Sequence, residues 1–438
     1  MSFAKHSFSV FKRDIFLFGL NLLTSVVIAR KLGPELLGVY VILMLIPGYA
    51  EAFGRTKFDL AAVYFIGKGK YKEQDVLYHL NIIAILSSFL IIIPIIFFVN
   101  FLNQILFDGA TEYKNFIFTV LPLITLQFLY SNYSYLLISR ENIKMYNRMT
   151  ILKAVIGSGG ASIFLLFLNY GLWSVLIPNL LAGIISLIYG ICQYRKAYWS
   201  NSPRNSIDKI LLKDFFNYSY KLYLGGIISY LNLYLMKSIL SLYLIPAKVA
   251  FFSMAQDRAT LLDKIPAAVN TILYPKVSNV SNIEASTYTI NAFRIILILV
   301  SFSAIALAIV IKPAVILLYG EAFSPMIIPM LIILPGIIMN GSTSVISQFF
   351  TGIGRSDLVM KLSFTPLLSQ LFLGFLLIKH FGIYGAAFSF SLAMVFLGLS
   401  QILSFLKVSG NSIKVLIPQK NDFIYIKNFI TSKFNYNV

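Results

Sequence analysis

One cysteine, Cys192, and three histidines, His6, His79 and His380, far apart in sequence, are all that this 438-residue chain has of those residue types. A lone thiol excludes a disulfide framework and a thiolate metal site. No metal centre and no cofactor is expected. Charge is scarce as well: 12% of the residues are charged and 58% hydrophobic, where a soluble domain is nearer a quarter charged. A glycine-rich phosphate loop with its Lys and Ser/Thr is missing, so no built-in ATPase is expected. No polar stretch is long enough to fold a separate catalytic domain, and the chain is not expected to be an enzyme. The basic opening MSFAKHSFSVFKRD runs into an apolar stretch without a small-residue cleavage site. It reads as the cytoplasmic lead-in to a first helix, not a removable signal peptide.

What the chain has is apolar length. Windows with few charges fall at about 12–30, 36–54, 77–99, 115–138, 150–169, 172–192, 216–243, 248–277, 292–312, 327–350, 362–379 and 383–406. Each is close to the roughly 20 residues that cross a bilayer as helix, and helix satisfies the backbone in hydrocarbon. The expected fold class is an all-α polytopic membrane protein of about twelve spans.

The 36 basic residues outnumber the 17 acidic ones, and their placement gives the topology. Alternate loops divide 24 Lys and Arg on the side of both termini against 6 on the other, with 6 inside spans. The bias is expected to put both termini in the cytoplasm. Nucleic acid is not an expected partner; the surplus instead attracts anionic membrane lipids.

A basic polar loop, 193–214, separates two six-helix halves. The expected division is an N-terminal lobe 1–195, a linker 196–213, a C-terminal lobe 214–408 and a basic tail 409–438. The halves resemble each other. Leu32-Gly33-Pro34 leading to Gly38-Val39-Tyr40 matches Leu244-Ile245-Pro246 leading to Ala250-Phe251-Phe252. Tyr170-Gly171-Leu172-Trp173 matches Phe381-Gly382-Ile383-Tyr384, and Arg140 with Met145 matches Arg355 with Met360. The offsets are 212, 211 and 215 residues. Six helices per repeat make the copies parallel in the membrane, around a central cavity.

Ionised residues inside spans locate the candidate site. The eighth window carries Asp257, Arg258, Asp263 and Lys264, and the seventh carries Lys221 and Lys237. Each such charge costs roughly 2.5–3.5 kcal/mol at mid-bilayer on insertion scales, so these residues must line water or pair. Arg258 is the first candidate to hold an anionic head group, because its planar fork matches phosphate oxygens. Lys237 and Lys264 follow, then Arg55, Lys153 and Arg294 near helix ends. Asp257 and Asp263 either carry a coupling ion or neutralise Arg258 and Lys264. Gly157-Ser158-Gly159-Gly160 reads as a close helix contact. His79, His380, Trp173 and Trp199 read as interfacial side chains.

The turn Ala29-Arg30-Lys31-Leu32-Gly33-Pro34 with Gly38-Val39-Tyr40 resembles the opening signature of polysaccharide and O-antigen flippases, members of the multidrug/oligosaccharidyl-lipid/polysaccharide exporter superfamily. Tyr274-Pro275-Lys276-Val277-Ser278, Leu318-Tyr319-Gly320-Glu321-Ala322-Phe323, Gly354-Arg355 and Phe381-Gly382-Ile383-Tyr384-Gly385-Ala386-Ala387 continue it in family order. The resemblance implies a cationic cavity between two lobes and flipping of an undecaprenyl-diphosphate-type oligosaccharide by alternating access, driven by an ion gradient. It implies diphosphate recognition by Arg258 and neighbouring bases, and the polysaccharide polymerase machinery as a partner. One departure is Lys237, where relatives often carry an acid. The alternatives are a membrane glycan polymerase or ligase, which needs a large polar outer loop, and a drug/cation antiporter, which prefers acidic cavity residues.

Overall fold

The computed structural model describes residues 3–198 and 207–424, and side chains from 9 to 196 and 207 to 424. Trp199, Arg204 and the tail beyond 424 lie outside the described residues. Within them every regular element is helical. The chain is a multi-pass membrane protein. Among the described residues eight helical stretches are long and apolar enough to cross a bilayer: 9–54, 73–97, 111–139, 143–167, 173–196, 282–319, 321–352 and 356–409. The two longest are each interrupted by a glycine turn. Helix α1 (Phe3–Gly54) turns at Gly33, with φ 69° and ψ 177°. Pro34 then starts the next segment, where its missing N–H costs nothing. The stretch 356–409 turns at Gly382, with φ 54° and ψ −130°. Lys237, Arg258 and Lys264 keep 209–243 and 246–278 from being apolar in the same degree.

By internal contact the chain divides into Met1–Tyr230 with Ile245–Ala250, and Leu231–Leu244 with Phe251–Val438. The first unit holds α1, α2 (Phe58–Gly67), α3 (Glu73–Phe97), α4 (Val99–Phe107), α5 (Thr111–Ser139), α6 (Ile143–Ala154), α7 (Gly160–Phe167), α8 (Trp173–Tyr198) and the start of α9 (Lys209–Tyr243). A π segment, Val155–Gly159, joins α6 to α7. The Ser158 carbonyl within it accepts from the hydroxyls of Thr24 and Ser162, each at 3.0 Å. The glycines around it do serve contact: a Cβ on Gly160 would stand 3.2 Å from Pro178 on α8. His79 differs from expectation. It is buried, with Nδ1 2.6 Å from the Asp75 carbonyl and Nε2 2.8 Å from the Asp208 N–H. That geometry requires Nδ1 to donate and Nε2 to accept, so the ring anchors the approach to α9.

The second unit holds the rest of α9, most of α10 (Pro246–Ala259), α11 (Lys264–Ser278), α12 (Asn282–Tyr319), α13 (Ile327–Gly352), α14 (Ser356–Leu362) and α15 (Phe364–Ser409). Its core gathers Leu273, Phe293, Ile296, Val345, Phe349 and Phe405. In both units large apolar side chains also face outward, among them Leu90 and Phe97 on α3 and Phe302 and Ile309 on α12. Such surface fits lipid contact rather than water.

The turns after α5 and α13 share one hydrogen-bond pattern. The amides of Arg140, Glu141 and Asn142 reach the carbonyls of Leu136, Ile138 and Leu137, and those of Ile353, Gly354 and Arg355 reach Phe349, Thr351 and Phe350. Glu141 and Gly354 both take positive φ. The same pattern closes α2 at Lys68, Gly69 and Lys70, so it is a common way of ending a helix here and not a mark of the repeat.

Candidate functional site

In the first unit a polar network joins four helices, α1, α2, α5 and α6. Arg55, at the break between α1 and α2, donates to Glu51 Oε1 at 2.8 Å through Nη1 and to Asp59 Oδ2 at 2.8 Å through Nε, with Nη2 on the same Asp59 oxygen. Asp59 also accepts from Ser131 at 3.1 Å. Glu51 Oε2 accepts from Gln127 at 2.9 Å, and the Gln127 carbonyl accepts from Lys153 Nζ at 3.3 Å. The Lys153 ammonium stands 4.1 Å from the Tyr130 ring centroid, and the Arg55 guanidinium 5.3 Å from that of Tyr135.

This network forms part of the walls of two cavities. One, about 350 Å³, is lined by Arg55, Gln127, Tyr130, Tyr135 and Lys153 among others. The other, about 220 Å³, is lined by Glu51, Gln127, Lys153 and Asn179 among others. Both carboxylates are held by Arg55. Among the described residues Lys153 meets no carboxylate at ion-pair distance; its partners are an amide oxygen and a ring. Its ammonium therefore keeps hydrogens for a further acceptor, and Arg55 lines the same cavity.

The structure thus brings together Arg55 and Lys153, which the sequence ranks behind the charges of the eighth window. Asp59, Gln127, Tyr130, Ser131 and Tyr135 were missed. Part of their signal was spacing: 127, 131 and 135 are four apart on α5 and share one polar face, whereas 51, 55 and 59 keep the interval across the break between α1 and α2.

In the second unit the embedded charges pair differently from either expected local pair. Lys237 is 4% exposed, and its Nζ donates to Asp257 Oδ1 at 2.8 Å while Asp257 stays half-exposed. Asp257 is thus joined to α9 and not to Arg258. Gln256, next along α10, donates to the Leu233 carbonyl at 3.1 Å and fastens the same helix pair. A 3-10 turn, Thr260–Asp263, separates α10 from α11. At its end Asp263 accepts from Asn340 at 3.5 Å, and Lys264, the first residue of α11, is exposed. Arg258 turns to Tyr319, 5.7 Å from its ring centroid. Its Nε and the Tyr319 hydroxyl are both buried without a hydrogen-bond partner. Arg294 is buried beside Asp422, with Nε 3.5 Å from Oδ2, and also donates to Asn291 at 2.7 Å.

Residues 3–281 match the family described as "Polysaccharide biosynthesis protein". The chain belongs to that family. A Shigella flexneri relative described as "Putative O-antigen transporter" is 25% identical over 422 residues, covering 88% of this chain and 95% of that protein. Two solved structures share the fold. An inward-facing multidrug resistance MATE family transporter of the MOP superfamily superposes with TM-score 0.73 at 17% identity, covering 89% of this chain and 94% of that one. The lipid II flippase MurJ, in an inward closed conformation, gives 0.69 at 18%, covering 98% and 96%. The chain has the multi-helix fold of these transporters, and its family and neighbours are transporters and flippases, not enzymes.

Proposed function

We propose that this protein is a flippase that carries a polyprenyl-diphosphate-linked oligosaccharide from the inner to the outer leaflet of the bacterial inner membrane by alternating access. Twelve spans with cytoplasmic termini, in two six-helix repeats at 1–195 and 214–408, are part of the same proposal. The observation that carries it is Lys153. A buried-side cation without a carboxylate, beside Arg55 on a polar cavity wall, suits the oxygens of a diphosphate. The aromatic rings of Tyr130 and Tyr135 add surface on which a sugar can stack. Asp59 and Glu51 are both engaged by Arg55, which disfavours the drug/cation antiporter, since a cation would have to displace that guanidinium.

Arg258, Lys237 and Lys264 remain proposed contacts for the anionic group on the second unit. Asp257 and Asp263 remain proposed sites of ion coupling, and the polymerase machinery a proposed partner. Arg294, engaged by Asp422, would have to leave that carboxylate to reach substrate.

The test is mass spectrometry of lipid that co-purifies with the detergent-solubilised protein. A polyprenyl diphosphate bearing a short glycan is expected from the wild type and should be depleted by Lys153→Ala. Co-purification of phospholipid alone, from wild type and variant alike, would overturn the reading.

A further inference from the structure

Helix α12 is 38 residues long, or about 57 Å at 1.5 Å per residue, against a hydrocarbon core of about 30 Å. Its ends therefore project beyond the apolar layer. The chain that follows α15 returns along the first turns of α12 and is fixed there at three points. Asn411 donates to Ser286 at 3.4 Å. Leu416, at the end of a 3-10 turn capped by Ser412, is buried with Ile290 and Phe293. Asp422 is buried against Arg294 and also accepts the Gln419 N–H at 2.7 Å, which starts the helical turn at 420.

The opposite side of this segment is unlike a water-facing tail. Ile413, Ile417, Phe423 and Ile424 are exposed, and Lys407, Lys414 and Lys420 are exposed among them. Apolar side chains interleaved with lysines, a few residues beyond the end of a membrane-crossing helix, match the boundary between acyl chains and anionic headgroups. We propose that residues 407–424 form an interfacial strap that seats on anionic phospholipid of the cytoplasmic leaflet, and that the Arg294–Asp422 pair ties this lipid contact to α12. The inference rests on the cytoplasmic placement of the tail, but not on the identity of the transported molecule. It assigns Arg294 to positioning.

The test uses the full chain in nanodiscs of phosphatidylcholine, with and without phosphatidylglycerol, and reads amide hydrogen exchange over 411–424. Anionic lipid should slow exchange severalfold in the wild type. Replacing Lys407, Lys414 and Lys420 together by Gln should abolish that slowing without changing the melting temperature, because all three are exposed. Asp422→Asn should release the segment in both lipids. Exchange that ignores phosphatidylglycerol in the wild type would overturn the proposal, as would lipid-dependent slowing that survives the triple substitution. Protection seen only in native membranes would also overturn it, by identifying a protein partner. None of these variants touches Arg55 or Lys153, so failure here leaves the transport proposal standing.

Discussion

Arg55→Ala separates two roles that one side chain could hold. The guanidinium is 14% exposed and Asp59 only 2%, so removal strands a buried carboxylate that also keeps its Ser131 contact. Breaking a buried pair on one side costs about 3–5 kcal/mol, and the variant should melt well below the wild type in detergent. Arg55→Ala combined with Asp59→Asn removes the stranded charge. Most of that loss should return, to within about 1–2 kcal/mol for the remaining unsatisfied hydrogen-bond groups. Glu51, more exposed, can rehydrate. Export should behave otherwise: if Arg55 faces the anion, the double variant folds but leaves lipid-linked glycan in the inner leaflet. The assay pairs detergent melting with recovery of surface glycan, scored on variants of equal membrane abundance. Wild-type export by the double variant would refute the reasoning, because Arg55 would then serve only to neutralise Asp59.

Asymmetric burial makes a second contrast. Asp257→Ala leaves the buried Lys237 ammonium without its partner and should cost about 3–5 kcal/mol, whereas Lys237→Met leaves a half-exposed carboxylate that water can solvate and should cost about 1 kcal/mol or less; equal melting temperatures would contradict this. Gly157→Ala puts a methyl 3.2 Å from Asn179 Oδ1 and 3.3 Å from Ala182 Cβ and should cost about 1 kcal/mol. Gly159→Ala meets only Val155 at 4.0 Å and should be neutral or slightly stabilising by melting. Outside the membrane, hydrogen bonds from Lys70 and Tyr71 hold the Asp214 carboxyl below its usual range, and burial with that contact pushes the Tyr71 hydroxyl up to about 12. A depressed carboxylate stabilises above its unfolded value, near 4, and loses that contribution as pH falls through the folded one. Protection at 68–72, taken relative to the intrinsic exchange rate at each pH, should therefore fall only in acid, and Asp214→Asn should lower it at neutral pH too.

The spans were legible because lipid demands long apolar helices, a signal that survives any packing detail. The glycine turns were legible for a related reason: at Gly33 and Gly382 the backbone adopts positive φ that few side chains tolerate. The short helices α2 and α4 were not, since the loops holding them were read only for charge. The site was half legible. Charge inside an apolar window marks a residue that must be sheltered, and Lys237, Asp257 and Lys153 are such residues. Which charges meet is a property of three-dimensional packing: Arg258 is adjacent to Asp257 in sequence, yet successive helical residues diverge by about 100° and do not face each other. Asp257 met Lys237, twenty positions away, because α10 packs on α9. The same logic raises Lys153 over Arg258. A cation is open to a ligand less by its depth than by what already meets it, and Lys153 touches an amide oxygen and a ring, with Glu51 acting on it only beyond ion-pair distance. Arg258 shares that property in part, through its unpartnered Nε, whereas Arg294 does not, since Asp422 already meets it.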